Sequence, residues 1–194
     1  MRLPRVIVAI AVVSLLLNIA VVLSESQTGR SAVQFSRESH ETRGAPLDGR
    51  PLLAEVYYNT LVANEYVTLY NPCDEDIDIS GWRLTDREGT IAFPSGAIVS
   101  SKGYVTVTQN STLYRRDTLM LPDFSIDGRE SPSILRLGGS FQLNNGGDEV
   151  LLENASGDIA DAFIFGSSTY NGTGWVGRPA EALGKGYVSR RTMK

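Results

Sequence analysis

Cysteine and histidine are nearly absent from this chain of 194 residues, which has one of each. A lone Cys73 excludes an intrachain disulfide and any multi-cysteine zinc site, so it is expected as a small, half-buried apolar residue. A lone His40 lies in a Ser- and Arg-rich stretch, away from the segments that read as folded, which leaves no base for a Ser or Cys nucleophile. The G-x-S-x-G elbow is missing as well. No long segment repeats its apolar residues at helical spacing, so a helix-built core is excluded. Basic residues are outnumbered, 18 to 22, for a net charge of −4. Setting aside the first 24 residues leaves 16 basic against 22 acidic, and such a surface repels a phosphate backbone. General nucleic-acid binding is therefore not expected.

What the chain does have begins at its N-terminus. Arg2 and Arg5 precede VIVAIAVVSLLLNIAVVL (6–23), an uncharged run that would span about 27 Å as a helix, close to a hydrocarbon core of about 30 Å. Cationic flanks on that side predict an N-terminus in the cytoplasm and a C-terminal part outside. Residues 1–24 are thus expected to be a signal anchor, or a signal peptide cleaved before Glu25 with secretion of the remainder. Residues 25–51, poor in large apolar side chains, read as a flexible tether. Sequons at Asn110, Asn154 and Asn171 offer glycan sites for an exported domain.

From residue 52 to 166 the period is two. LLAEVYY (52–58) and EYVTLYN (65–71) alternate, the latter placing Tyr66, Thr68 and Tyr70 opposite Val67 and Leu69. WRLTD (82–86), TIAF (90–93), AIVS (97–100) and GYVTVTQ (103–109) follow at sandwich spacing. Trp82 has the area to anchor the inter-sheet core. STLYRRDTLM is expected to make one helical turn. LRL, FQL, EVLLE and DAFIFG supply the last strands, with Asn145-Gly146-Gly147 and Ser156-Gly157-Asp158 as reversals. The fold expected is all-β, an immunoglobulin-like Greek-key sandwich of about 115 residues, large enough to bury its own core. Residues 167–194 form a basic extension, with Arg178, Lys185, Arg190, Arg191 and Lys194 against Glu181.

The order of these pieces resembles the lamin tail domain family in its exported prokaryotic form. The matching positions are Glu55, Glu65-Tyr66-Val67, Leu69 and Asn71, Gly81-Trp82, Asp86, Gly89, Phe93-Pro94 and Gly103. They continue through Leu143-Asn144-Asn145-Gly146-Gly147-Asp148-Glu149-Val150 to Gly157, Asp161 and Gly166. The resemblance implies an immunoglobulin-like domain used for interaction or tethering, without catalysis. No heptads precede it here, so the nuclear partners of animal lamins do not carry over. GTGWVG with Tyr187-Val188-Ser189-Arg190 resembles the connector into a catalytic domain in multidomain relatives, and the chain ends at Lys194.

Other candidates for chemistry are few. Asp74, Asp76 and Asp78 would supply oxygen ligands to calcium, but in a loop without the glycine and terminal glutamate of an EF-hand. Asp148, Glu149 and Asp161 would suit a carboxylate pair for glycoside hydrolysis, yet stand beside Gly turns where capping is their ordinary use. Tyr57, Tyr58 and Trp175 would make a sugar-stacking strip if exposed. Gly172–Gly177 fits G-x-G-x-x-G without the helix or the distant acid that a dinucleotide needs, so no cofactor is expected. The leading expectation is a membrane-anchored, outward-facing interaction module with an unknown protein or envelope partner. The alternatives are the targeting portion of a split exported nuclease or hydrolase of the phospholipase-D-like kind, and a carbohydrate or cell-envelope binder.

Overall fold

A computed structural model describes residues 49–127 and 132–191, and the backbone of residues 34–40. The apolar run 6–23 and most of the expected tether lie outside the described residues. Among those described, no helix is long and apolar enough to cross a membrane.

The alternating segments become strands because each carries β-branched and aromatic side chains bounded by Gly, Pro or Asn. In chain order they are β1 Gln34–His40, β2 Leu52–Tyr57, β3 Tyr66–Tyr70, β4 Ile77–Asp78, β5 Arg83–Thr85, β6 Thr90–Ala92 and β7 Ile98–Val99. After these come β8 Tyr104–Thr108, helix α1 Ser111–Thr118, β9 Phe124–Ser125, β10 Leu135–Arg136, β11 Gly139–Ser140, β12 Gly147–Glu153, β13 Ile159–Gly166 and β14 Tyr187–Arg191. One sheet has the order β1-β14-β2-β3-β8-β9-β10 and another β11-β6-β5-β12-β13, with β4 and β7 as a separate pair. The domain is an immunoglobulin-like β-sandwich. Its core draws Val56, Val67, Leu69, Val105 and Val107 from the first sheet and Leu84, Ile91, Val150, Leu152, Phe163 and Phe165 from the second.

Tyr58 and Phe165 stack across this core with ring centroids 3.8 Å apart. The first sheet also buries part of its outer face. Tyr57, Tyr66, Tyr114 and Val188 form a second cluster, with Tyr66 between Tyr57 (5.3 Å) and Tyr114 of α1 (5.2 Å). The alternation of EYVTLYN is thus kept, with apolar partners on both sides.

Four expectations are corrected by these elements. STLYRRDTLM makes an eight-residue helix, not a single turn, because the Asn110 side chain caps it by accepting from Leu113 N (3.1 Å). Trp82 is only partly buried at the margin of the core, whose largest fully buried side chains are Tyr58 and Phe165. FQL is not a strand, since its amides are taken by side chains, as described below. Residues 187–191, read as part of the basic extension, form β14 between β1 and β2. β14 pairs antiparallel with β2 (Ser189 with Val56) and parallel with β1. Burial of Val188 and Ser189, in a segment too short and basic to announce itself, gives it a strand's place.

Candidate functional site

Three strands deliver three carboxylates to one short loop. Glu65 immediately precedes β3, Asp86 follows β5, and Asp148 is the second residue of β12. Consecutive main-chain amides then donate one to each: Gln142 N to Asp86 Oδ2 (3.1 Å), Leu143 N to Glu65 Oε2 (3.0 Å) and Asn144 N to Asp148 Oδ2 (2.7 Å). Amides at the edge of a core need acceptors, and ionised oxygens are strong ones. Phe141 and Leu143 point inward, while Gln142, Asn144, Asn145 and Gly146 are exposed. Asp86 also accepts from Glu88 N (3.0 Å) and Gly89 N (2.5 Å), fixing its own turn. Main-chain amides supply these hydrogen bonds, and the Arg87 guanidinium acts on Asp148 through space. Burial, reinforced by Asp148 and Asp86 and opposed by the Leu143 amide, pushes the Glu65 carboxyl up to about 7. Burial likewise raises Asp148, against the Asn144 and Glu149 amides.

Glu149, the next residue, is buried at 3% exposure and is held differently. It pairs with the Arg87 guanidinium and accepts from the Ser168 hydroxyl. Arg87 has a left-handed φ of 71° and lies over the Tyr170 ring, 5.7 Å from its centroid. Ser168 Oγ in turn accepts from Tyr170 N (3.2 Å). The turn after β5 and the loop after β13 are thereby clamped around β12. The backbone allows it only through glycine. A Cβ on Gly166 (φ +59°) would stand 2.2 Å from Gly146 O, and one on Gly147 would stand 1.9 Å from Ser167 N.

A family model for the lamin tail domain matches residues 46–167, more than half the chain. The chain belongs to the lamin tail domain family. No curated protein matches its sequence. Among solved structures, the crystal structure of a DUF4876 family protein from Bacteroides thetaiotaomicron VPI-5482 is similar over 62% of this chain and 55% of its own, at 8% identity and a TM-score of 0.47. The chain thus spans about half the length of that protein.

Within the lamin tail domain, the carboxylates singled out by sequence part company. Asp148 and Glu149 belong to the loop clamp. Asp161 is elsewhere, buried on β13, where Arg191 Nη2 of β14 donates to both its oxygens (2.8 and 2.6 Å) and Leu53 N donates at 2.7 Å. It caps no turn; it joins β13, β14 and β2. Glu55 of β2 pairs with Arg190 of β14 (2.8 Å) and its carboxyl is raised by burial, with Arg190 opposing. Asp74 pairs with Lys102 (3.0 Å), Asp76 accepts from Ser101 N (2.8 Å), and Asp78 from Ser80 N (2.8 Å). The three are occupied separately, and among the described residues no group of three ligating side chains converges on a metal position.

The aromatic strip does not form, because Tyr57 and Tyr58 are fully buried and Trp175 packs edge-on against Phe163 (6.1 Å). Of the sequons, Asn171 is exposed, Asn110 is half-buried as the α1 cap, and Asn154 organises the β12–β13 turn by accepting from Ser156 N and Asp158 N (both 2.9 Å). Sequence reasoning named Glu65 and Asp86 only as points of family likeness. It missed Arg87, Ser168 and Arg191 as their neighbours' partners. The available signal was an acid placed directly against an apolar strand, which needs a partner once the strand is buried.

Proposed function

We propose that this lamin tail domain is a non-catalytic interaction or tethering module, held at the outer face of a membrane by residues 6–23. One observation carries the non-catalytic part. The acids that would serve hydrolysis are committed to structure: Glu65, Asp86 and Asp148 hold three consecutive amides, and Glu149 holds Arg87 and Ser168. General acid–base work needs a carboxyl free to reach a substrate proton. What the site offers outward instead is a fixed polar loop, with Gln142, Asn144 and Asn145 exposed above buried supports. A preorganised loop on a rigid scaffold suits recognition, because little ordering remains to be done on binding. The membrane part rests on the Arg-flanked apolar run alone.

Purified full chain, assayed on nucleic acid, phosphodiester and glycan substrates, is expected to give no turnover above the buffer rate. Robust hydrolysis lost in Asp148→Asn while the variant stays folded would overturn the reading. Extraction of cell membranes tests the anchor separately: the chain should resist high salt and leave with detergent, and release by salt alone contradicts it.

A further inference from the structure

The segment after α1 breaks two rules of a stable surface at once. Leu119, the C-cap of α1, has φ 63° and ψ 11°, a left-handed conformation that favours glycine or asparagine. Leu119 spends this strained position on exposure, at 73%, followed by Met120 at 64% and Leu121 at 52%. No core contact explains three successive large apolar side chains facing water, and strain in an exposed segment points toward function. The acids around them are engaged by neighbouring groups. Asp117 turns inward, its side chain 3% exposed, between Asn64 Nδ2 (2.8 Å) and Arg116. Asp123 turns its Oδ2 to the Thr106 amide (2.7 Å). Arg115 and Arg116 remain exposed on the last turn of the helix. The outward groups are therefore Arg115, Arg116 (which also pairs with Asp117), the three apolar side chains and the exposed part of Asp123, on a chain whose net charge is −4.

We propose that the Leu119-Met120-Leu121 tip, flanked by Arg115 and Arg116, docks into the interfacial region of an anionic lipid bilayer. Apolar side chains at the acyl boundary with cations at the headgroups is the arrangement that such a surface rewards. A tip of three residues binds weakly alone, so the inference rests on the reading that residues 6–23 keep the domain near the membrane and raise its effective concentration there.

The test uses the full chain carrying Cys73→Ser and Met120→Cys, with an environment-sensitive fluorophore on the new thiol, reconstituted with vesicles of phosphatidylcholine with or without phosphatidylglycerol. A label at exposed Ser156→Cys serves as the reference site. The Met120 label should shift to the blue and be quenched by nitroxide lipids in the anionic vesicles. It should respond less in phosphatidylcholine alone, and less again when Arg115→Gln is added. Flotation reports the anchor independently. Flotation with a water-like Met120 label overturns the docking and leaves the anchor standing. A shift in a chain that floats with anionic vesicles only at low salt and is stripped by high salt refutes the anchor and keeps the docking, and neither response overturns both. A concentration-dependent shift without vesicles assigns the tip to a second copy of the chain and overturns the lipid proposal.

Discussion

Glu65 shows how one residue ties charge to architecture. Its carboxyl is needed for the Leu143 amide yet is pushed up to about 7 by burial and by two neighbouring acids. A folded value above the unfolded one means that folding favours the proton. The stabilisation is full below about pH 4.5, declines as pH rises through about 7, and is lost above it. Between pH 5 and pH 8, the unfolding free energy of the native protein from urea titrations should therefore fall relative to Glu65→Gln by about 1 kcal/mol, a figure kept small because the group is partly exposed to solvent. Parallel pH profiles for the two proteins would refute the assignment. The pair Asp161–Arg191 makes the opposite case, since both side chains are almost fully covered (5% and 10% exposed). Arg191→Met strands a buried carboxylate and should cost about 3 kcal/mol, measured by chemical denaturation. A loss no larger than that of an exposed pair would contradict the burial argument.

At the scale of elements, the strands with clear alternation were legible and the ones defined by context were not. EYVTLYN carries its period in the residues themselves, and EVLLE is marked by its apolar run between acids and glycine turns. β14 carries no such signal, and its place is decided by Arg190 reaching Glu55 and Arg191 reaching Asp161 across more than a hundred or some thirty residues of chain. FQL fails for a related reason: its pattern fits a strand, but the Asp86, Glu65 and Asp148 oxygens satisfy the amides that a neighbouring strand would have used. The same competition hid the site, because an acid beside a Gly turn reads equally as a turn cap and as a distant loop's acceptor. Glycine spacing was the better guide, since Gly146, Gly147 and Gly166 permit the approach of β12's entry to β13's exit. Gly166→Ala should cost about 3 kcal/mol, as both its φ and the Gly146 oxygen oppose a Cβ. Unchanged thermal stability would show that this approach is not needed.

For the whole molecule, the sandwich accounts for stability, and the loop 141–147 is the surface we propose for recognition. The two are joined by buried acids that in another setting would invite a catalytic reading. Amide hydrogen exchange on the full chain tests that joint most directly, through Gln142, Leu143 and Asn144. Although 142 and 144 are exposed residues outside any strand, all three amides should exchange as slowly as those of β12, and Asp86→Asn should release Gln142 before the others. Exchange of the three at the rate of an unprotected loop, in a protein otherwise folded, would contradict the account.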